Sequence, residues 1–346
     1  RRRVYSQADV ERLCARRDAR SGHGAVAAGA LRWGEPVLDS GISRIEPEGP
    51  VYRGRSAGAL VDQGATFEEV VALLLGRPWV APRATRPLPI PAAATGVTAR
   101  LGFVLQTLST RDIEPSAESI VRHCTAGLAI ATADARVALR APTTAQALLE
   151  AYRVRATAPK RRLVNRALVW AAEHELNVSS FAARVVASTG APTCVCLTAA
   201  NAALSGPRHG GETERFEALL DETGSPDRAA PTLRGRRQRG DLVTGFSHPL
   251  YPTGDPRAAS LLEAVASDRK KRSVTLRSVV EAAAGAGEGA PNLDVGLVAT
   301  RIALGLPRGG ALALFAIGRL AGWIAHIEEQ RAAPHLLRPR ARYTGP

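Results

Sequence analysis

The sequence contains 346 residues with a formal net charge of +14 at pH 7, and 45% of its residues are hydrophobic but only 4% aromatic. This length predicts about two domains, and a core built from Ala, Leu and Val rather than aromatic residues favours packed helices over a sheet. The charge does not by itself indicate nucleic-acid binding, because almost all the cations are arginines scattered through stretches rich in Ala and Gly.

The N-terminal segment is predicted to be separate from the rest. Residues 1–20 have the spacing of a short helix capped at Ser6, and residues 21–29 form a Gly/Ala linker. The helix resembles the last part of a winged helix-turn-helix of the mercury-resistance regulator type. Its recognition helix would precede Arg1, so we do not expect this chain to bind DNA. Because the sequence starts at Arg1 and has no Met, we expect it to be a fragment or a late start.

Short strands and then helices are predicted after the linker. Alternation and turns favour strands between Leu31 and Tyr52, and a capping box from Thr66 to Glu69 predicts a helix that ends at Gly76. Apolar periodicity predicts further helices at 95–109, 115–136, 143–152, 161–184 and 181–204. His174 falls where this pattern breaks before a new helix start at Asn177. From the pattern alone, it is either a histidine bonded inside the helix bundle or a ligand-binding residue.

Three stretches place chemically active side chains where loops meet helices. Ser205–Gly211 sets His209 among glycines after a helix end, and Gly245–Arg257 sets His248 in a Pro/Gly-rich loop that ends in Asp-Pro-Arg. Ala290-Pro-Asn-Leu-Asp294 places a carboxylate at the start of an apolar helix. A carbon–carbon condensation beside a carbonyl needs such a set: a base for the α-proton, a neutral donor for the enol oxygen and a donor for the acceptor carbonyl.

The order of these motifs resembles the citrate synthase family. The matching patterns are G-P-x-H-G-G, G-F-x-H-x-x-Y-x-x-x-D-P-R and P-N-x-D, and further matches lie at His174–Arg184, Leu314–His326 and Leu337–Gly345. The resemblance runs from about residue 30 to the C-terminus, and some bacterial members carry a helix-turn-helix domain in front. It implies a mainly α, two-domain helical fold, in which a small helical domain (210–295) is inserted into a large helical domain (30–209 and 296–346).

The resemblance also implies an acyltransferase mechanism that converts acyl to alkyl on transfer. Asp294 would remove a proton from the methyl group of acetyl-CoA, while neutral His209 donates to the thioester oxygen. His248 would polarise the keto group of oxaloacetate, and the citryl-CoA formed would be hydrolysed to citrate and CoA in the same pocket. The cofactor prediction is therefore acetyl-CoA as co-substrate, with no permanently bound cofactor and no metal.

The family's substrate-binding positions also have counterparts. The residues implied to hold oxaloacetate are His174, Arg257, Arg319 and Arg338, the last supplied by the partner subunit of a homodimer. Basic residues in the small domain are candidates for the phosphates of coenzyme A, with solvated helix faces as the alternative interpretation: Arg236, Arg237, Arg239, Lys270 and Lys271.

The motifs depart from the family pattern in three places. Where the family commonly has H-G-G-A-N, this chain has Glu212 and Thr213 after the two glycines. His248 is followed by Pro-Leu-Tyr-Pro without the basic residue common in bacterial members, and Ala284–Ala290 is a loose Gly/Ala loop. The catalytic set is intact, whereas CoA affinity and substrate choice stay open.

Cysteine usage and hydropathy predict a cytoplasmic protein. The four cysteines, Cys14, Cys124, Cys194 and Cys196, have no zinc or disulfide spacing and are interpreted as buried free thiols. Residues 310–327 are apolar enough to suggest a membrane span, but Arg319 and His326 favour a buried helix, because charge at mid-bilayer is costly. We expect no membrane association and no signal peptide.

Three alternatives compete with citrate synthase. A 2-methylcitrate synthase would use propionyl-CoA with the same residues, and sequence motifs do not separate the two. A metabolite-sensing regulator built on the same fold is suggested by the N-terminal segment, although the retained catalytic set opposes it. A purely structural helical protein would not need three polar groups at glycine-rich turns.

Overall fold

Helices make up most of the described chain. A computed structural model describes residues 38–82, 86–333, 335–339 and 343–345. Residues 42–333, where described, form one compact unit, and the described residues before and after them belong to a second unit. The helix predicted at Ser6, the linker and the start of the strands at Leu31 lie outside the described residues. The predicted boundaries of the inserted small domain stay a prediction.

A small antiparallel sheet begins the main unit. Its strands, in spatial order, are β1 (Ser43–Glu46), β2 (Gly49–Tyr52) and β3 (Arg55–Ser56). The central strand is buried, and the Tyr52 hydroxyl donates to the carbonyl oxygens of Val169 at 3.0 Å and Glu173 at 3.2 Å. The sheet is therefore fastened to the chain segment that leads into His174.

The helices of the described chain are α1 (Ala57–Asp62), α2 (Phe67–Leu75), α3 (Val97–Ser109), α4 (Ala117–Gly127), α5 (Thr132–Arg140), α6 (Thr144–Ala151), α7 (Ala158–Ala171), α8 (Val178–Ala187), α9 (Thr193–Leu204), α10 (Glu212–Thr223), α11 (Ala229–Arg239), α12 (Pro256–Ala264), α13 (Lys271–Gly285), α14 (Leu293–Leu304) and α15 (Gly310–Ala332). A 3-10 turn at Pro226–Arg228 precedes α11. The mainly α fold class is confirmed.

Several predicted helix ends are confirmed by their caps. Thr66 and Glu69 form the capping box of α2, and Gly76 ends that helix with a left-handed φ of 67°. The predicted helices at 95–109 and 143–152 correspond to α3 and α6.

Three predicted helices were too long. The segment 115–136 is divided into α4 and α5, because the Asp134 side chain accepts from the Ala131 N–H and starts a new helix there. The segment 161–184 breaks after Ala171, and Asn177 caps α8 by accepting from two backbone N–H groups. The run 181–204 breaks before Pro192, which cannot continue a helix.

Helix α15 lies at the centre of the main unit. It packs against α7, α8, α9, α14, α2 and α4, so that it is buried along most of its length. It is the one helix of the described chain with the length and apolarity to cross a membrane, and its most apolar window is 100% buried inside the protein. Burial of Arg319 and His326 within it agrees with the predicted core helix.

The described cysteines lie in the helical core. Cys124, Cys194 and Cys196 are buried free thiols, as predicted, and Cys14 lies outside the described residues. Burial raises the pKa of all three thiols, to about 12 for Cys194. Thiols that resist ionisation pack as small apolar groups and are poor nucleophiles.

Candidate active site

His209 lies in a tight turn between α9 and α10. The turn folds back on the end of α9: a Cβ atom on Gly210 would lie 2.7 Å from the Leu204 carbonyl oxygen, and one on Gly211 would lie 2.9 Å from the Gly206 carbonyl oxygen. Only glycine permits such close approach. The two glycines therefore fix the turn that presents the histidine, as the sequence motif suggested.

Side chains from α8 and α15 hold the His209 ring. Nε2 of His209 lies 2.8 Å from the hydroxyl oxygen of Ser179, which lies 2.6 Å from Oδ1 of Asn177. The Trp323 indole N–H donates to the same hydroxyl oxygen at 3.0 Å, and the Phe315 ring meets His209 edge to face at 5.6 Å. Burial, with the nearby charge of Arg319, lowers the pKa of His209 to about 4, so the imidazole is neutral at pH 7.

His174, His248 and Tyr251 form a second cluster. Nε2 of His174 lies 3.0 Å from the Tyr251 hydroxyl, and the ring centroid of His248 lies 5.2 Å from those of both His174 and Tyr251. The Leu250 N–H donates to Nδ1 of His248 at 3.2 Å. A neutral imidazole that accepts at Nδ1 carries its proton on Nε2, so Nε2 is the donor of the His248 ring.

Both histidines of this cluster are neutral. Burial, together with the positive charge of Arg257, lowers the pKa of His248 to about 4. Burial also places the pKa of His174 well below its ordinary value, and the charges of Arg257 and Arg319 and of the other two histidines act in the same direction. His174 therefore lies within electrostatic range of both arginines and of both other histidines.

Arg257 is held by a bidentate pair with Asp255. The Arg257 Nε and Nη2 atoms donate to Asp255 at 2.9 and 2.7 Å, and both side chains are almost completely buried. Asp255 also caps α12 by accepting from the Arg257 N–H, and accepts from the Leu293 N–H at 2.9 Å. One carboxylate thus fixes the arginine and ties the start of α14, which carries Asp294, to the start of α12.

Arg319 is a buried cation without a close anion. Its Nε donates to the Ala171 carbonyl oxygen at 2.7 Å, and its Cζ lies 4.9 Å from the centre of the Phe315 ring. Within the described part of the chain it forms no ion pair with a carboxylate, although the charge of Glu173 acts on it. Burial lowers the pKa of Arg319 to about 10, so the side chain stays charged at pH 7 and is available to an anionic ligand.

Asp294 lies in the first turn of α14, which Asn292 caps by accepting from the Asp294 N–H at 3.1 Å. Its Oδ1 is buried and has no hydrogen-bond partner among the described residues. Burial and the negative charge of Glu212 raise the pKa of the Asp294 carboxyl from 3.8 to about 8. A carboxylate with this raised pKa is a stronger base than an ordinary aspartate.

The remaining predicted residues are placed as follows. Arg338 is exposed and belongs to the second unit. Arg236, Arg237 and Arg239 end α11 and are paired with acidic side chains: Glu222, Glu288 and Asp241. Lys270 and Lys271 begin α13, and Lys270 is paired with Asp268 at 3.0 Å. The described residues contain no group of three or more metal-ligating side chains.

Sequence reasoning assigned no role to several residues that hold the site together. Tyr251 and Asp255 lie inside the quoted loop motif, and Ser179 lies inside the quoted His174 motif, so spacing from the histidines could have drawn attention to them. Phe315 and Trp323 likewise lie inside the quoted Leu314–His326 motif, although their contacts with His209 and Ser179 depend on the tertiary fold. Glu173 has no such signal, because its contact with His326 joins distant segments.

Comparison with known proteins places this arrangement in a family. A family model described as citrate synthase, C-terminal domain, matches residues 95–340. A Mycobacterium tuberculosis protein provisionally named citrate synthase 2 is 31% identical over 339 residues, which cover 90% of this chain and 89% of the relative.

Two further relatives match over a shorter length. Citrate synthase 2 of Bacillus subtilis is 36% identical over 188 residues, covering 53% of this chain and 50% of the relative. The 2-methylcitrate synthase 1 of Corynebacterium glutamicum is 35% identical over 188 residues, covering 52% of this chain and 49% of the relative. These matches therefore span about half the length of the curated relatives.

A solved structure shares the fold. The citrate synthase of Thermoplasma acidophilum, determined with carboxymethyl coenzyme A and oxaloacetate, superposes with a TM-score of 0.77 at 22% identity, covering 92% of this chain and 96% of that one. Because the family model spans well over half of the sequence and agrees with the helical fold, the chain belongs to the citrate synthase family of acyltransferases.

Proposed function

We propose that this chain is a citrate synthase that condenses acetyl-CoA with oxaloacetate and hydrolyses citryl-CoA to citrate and CoA. The observation that carries the proposal is one polar centre that combines a strong base with two neutral donors. The raised pKa of Asp294, about 8, makes its carboxylate a strong base, of which a minor fraction is ionised at pH 7, and the lowered pKa values of His209 and His248 keep both imidazoles neutral at that pH. Enolisation of a thioester needs both kinds of group at once, because a carboxylate alone is too weak a base.

In the first step, Asp294 takes a proton from the acetyl methyl group, and the electron pair of the C–H bond forms the C=C bond of an enolate. His209 stabilises the thioester oxygen by donating from Nδ1. For this, Ser179 must turn its single hydroxyl proton from Oδ1 of Asn177, which accepts it at 2.6 Å in the free protein, to Nε2 of His209 at 2.8 Å, since a neutral imidazole carries one proton.

In the second step, the enol carbon attacks the keto carbon of oxaloacetate. His248 polarises the keto oxygen through Nε2–H, because its Nδ1 is already an acceptor for the Leu250 N–H. The keto oxygen takes the Nε2 proton of His248 and becomes the hydroxyl of citryl-CoA, and the proton held by Asp294 returns to the imidazole through solvent. Water then cleaves the thioester to release citrate and CoA.

The buried arginines supply the charge that a dianionic acceptor requires. Arg319 has no carboxylate partner among the described residues, and a ligand carboxylate would provide one. Asp255 offsets the charge of Arg257. Arg257 is therefore proposed to orient the ligand rather than to add an uncompensated positive charge. His174 is proposed to bind the same ligand, with its ring oriented by the contact between Nε2 and the Tyr251 hydroxyl.

Residues outside this centre complete the proposal. Arg338 is proposed to reach the site of a partner subunit, which makes the enzyme a homodimer. Arg236, Arg237, Arg239, Lys270 and Lys271 are proposed to receive the phosphates of coenzyme A, although the three arginines would have to exchange their present acidic partners for the ligand. We place the enzyme in the cytoplasm.

A 2-methylcitrate synthase is the second candidate, favoured by the similarity to the Corynebacterium glutamicum relative. The two activities differ by one methylene on the acyl group. A pocket discriminates such a difference by only about 10–200-fold.

The test is release of free CoA thiol from acetyl-CoA and from propionyl-CoA, each with oxaloacetate, by the wild type and by Asp294→Asn. Faster turnover with acetyl-CoA that is lost in the variant supports the proposal. Faster turnover with propionyl-CoA identifies a 2-methylcitrate synthase. A folded protein that binds oxaloacetate but turns over neither thioester would contradict the enzyme proposal and favour a metabolite sensor.

A further inference from the structure

Glu212 occupies the position where the family pattern commonly has Ala, directly after the His-Gly-Gly turn. It is the first residue of α10, and its backbone N–H donates to the His209 carbonyl oxygen at 2.9 Å. Its side chain is only 20% exposed. A partly buried carboxylate at this position therefore touches the turn that presents one catalytic histidine.

The Glu212 side chain connects this turn to the loop of His248. Its Oε1 accepts from the Gly245 N–H at 3.1 Å. Gly245 has a φ of +92°, and a Cβ atom there would lie 2.7 Å from both Phe216 of α10 and Val295 of α14. The loop is thus held between α10, which begins at Glu212, and α14, which carries Asp294 in its first turn.

The same loop continues the connection to Asp294. The Gly245 carbonyl oxygen accepts from the Asn292 N–H at 2.9 Å, and Asn292 caps α14 by accepting from the Asp294 N–H. Three hydrogen bonds therefore lead from Glu212 to the backbone of the base.

The charged groups acting on Asp294 come from three elements packed around it. Glu212 of α10 and Asp255 at the start of α12 favour the protonated carboxyl, whereas Arg257 of α12 favours the carboxylate. Arg319 of α15 interacts with Asp294 across the site. Asp255 is neutralised by its bidentate arginine, and the contact of Glu212 with Arg215 is longer, at 3.4 Å. Glu212 is therefore the less compensated of the two neighbouring carboxylates.

We propose that Glu212 is a positioning residue of the condensation, which fastens the His248 loop to the His209 turn and, through that loop, to the start of the helix that carries Asp294. The negative charge of Glu212 also acts on Asp294 and makes this base stronger. The inference rests on the proposed function, since it assigns Asp294 the removal of the acyl proton. A stronger base accelerates proton abstraction once ionised, but it is ionised only at higher pH. The stronger base therefore increases the rate of proton abstraction only at alkaline pH, where Asp294 is ionised.

Two variants separate charge from hydrogen bonding. Glu212→Gln removes the charge but keeps an oxygen that accepts from the Gly245 N–H, whereas Glu212→Ala removes both. Glu214→Gln is the matched control, because Glu214 is an exposed carboxylate in the same first turn of α10.

The pH profile of kcat/KM is the measurement. For Glu212→Gln we expect the midpoint to move to lower pH and the alkaline plateau to fall, so that the two profiles cross. A shift of only about half a unit would change the ionised fraction roughly threefold below the midpoint. Glu212→Ala is expected to show the same shift with a further loss of kcat at all pH values, and Glu214→Gln is expected to match the wild type.

Three results would overturn the inference: an unmoved midpoint in Glu212→Gln, an equal shift in Glu214→Gln, or identical kcat in the two Glu212 variants. Infrared titration of the Asp294 carboxyl, taken as the difference between Asp294-containing and Asp294→Asn protein, needs no turnover. Absent turnover in the wild type contradicts the proposed function, whereas an unshifted titration in Glu212→Gln contradicts the role of Glu212.

Discussion

Removal of the Ser179 hydroxyl is the most direct test of what orients the His209 ring. This hydroxyl lies between His209 Nε2 at 2.8 Å, Asn177 Oδ1 at 2.6 Å and the Trp323 indole N–H at 3.0 Å. In Ser179→Ala, the imidazole loses the hydroxyl that is proposed to turn from Asn177 to Nε2 of His209 and to keep the imidazole proton on Nδ1. It can then adopt the other tautomer, which presents an acceptor to the enol oxygen.

The size of the effect follows from the hydrogen bonds lost. A neutral hydrogen bond contributes about 0.5–1.5 kcal/mol, and loss of an oxyanion donor costs about 3–4 kcal/mol in the transition state. Since Ser179 acts through His209 and not on the substrate, we expect a fall in kcat between these limits, about 10–100-fold, with little change in KM for oxaloacetate. The buried Trp323 N–H would be left unpaired, which lowers the free energy of unfolding by about 1–3 kcal/mol.

Ser180→Ala is the control for this stability loss. Ser180 is equally buried, and its Oγ accepts from the Asn177 side-chain amide at 3.0 Å, but it has no contact with His209. Coupled assays of CoA release and thermal unfolding of both variants give the comparison. If Ser180→Ala lost as much kcat as Ser179→Ala, or if Ser179→Ala kept wild-type kcat, the proposed role of the hydroxyl would be wrong.

Three further predictions concern charge and packing. Folding raises the pKa of Asp294 from 3.8 to about 8, so the protonated carboxyl adds to the free energy of unfolding below about pH 4, and this contribution is lost as the pH rises towards 8. Urea unfolding between these pH values should show a decline in the free energy of unfolding for the wild type that is absent in Asp294→Asn. Gly322→Ala should lower the free energy of unfolding by about 1–3 kcal/mol in thermal scans, since its Cβ would lie 1.7 Å from Glu173 Oε2, whereas Gly285→Ala, with nothing within 4 Å, should be neutral or stabilising. Arg319→Met should raise the melting temperature of the free protein by an amount corresponding to about 1 kcal/mol. The variant should also lose the increase in melting temperature that oxaloacetate gives the wild type. A lower melting temperature of the free variant would show that the buried cation is already compensated.

The local signals in the sequence predicted the ends of the elements better than their lengths. Capping residues such as Thr66, Asn177 and Asp255 act within two or three residues, so they are legible without the fold. Apolar periodicity continued through the breaks at Ala171 and Pro192 because both flanking helices are buried in the same core. Apolar periodicity reports which residues are buried, and burial continues from one helix to the next across the break.

The site shows the same division between local and tertiary information. His209, His248, Arg257 and Asp294 were predicted from loops where glycine, proline or a cap leaves a polar side chain at a helix start. The local pattern does not determine their protonation states, and a neutral His209 is expected only from the resemblance to the family. They depend on burial and on charges brought from other segments, and no spacing rule encodes either.

The burial of Arg319 has an electrostatic cost in the free protein. Its guanidinium donates to one backbone carbonyl and lies over one phenyl ring, so it has lost most of its hydration without gaining a paired carboxylate. The charge of Glu173 offsets part of this cost, whereas Asp294 offsets little because its carboxyl favours the neutral form. The free protein therefore holds a buried cation that is only partly compensated where a dianion is proposed to bind. Substrate binding would complete that compensation, so that part of the affinity for oxaloacetate derives from the electrostatic cost already present in the empty site.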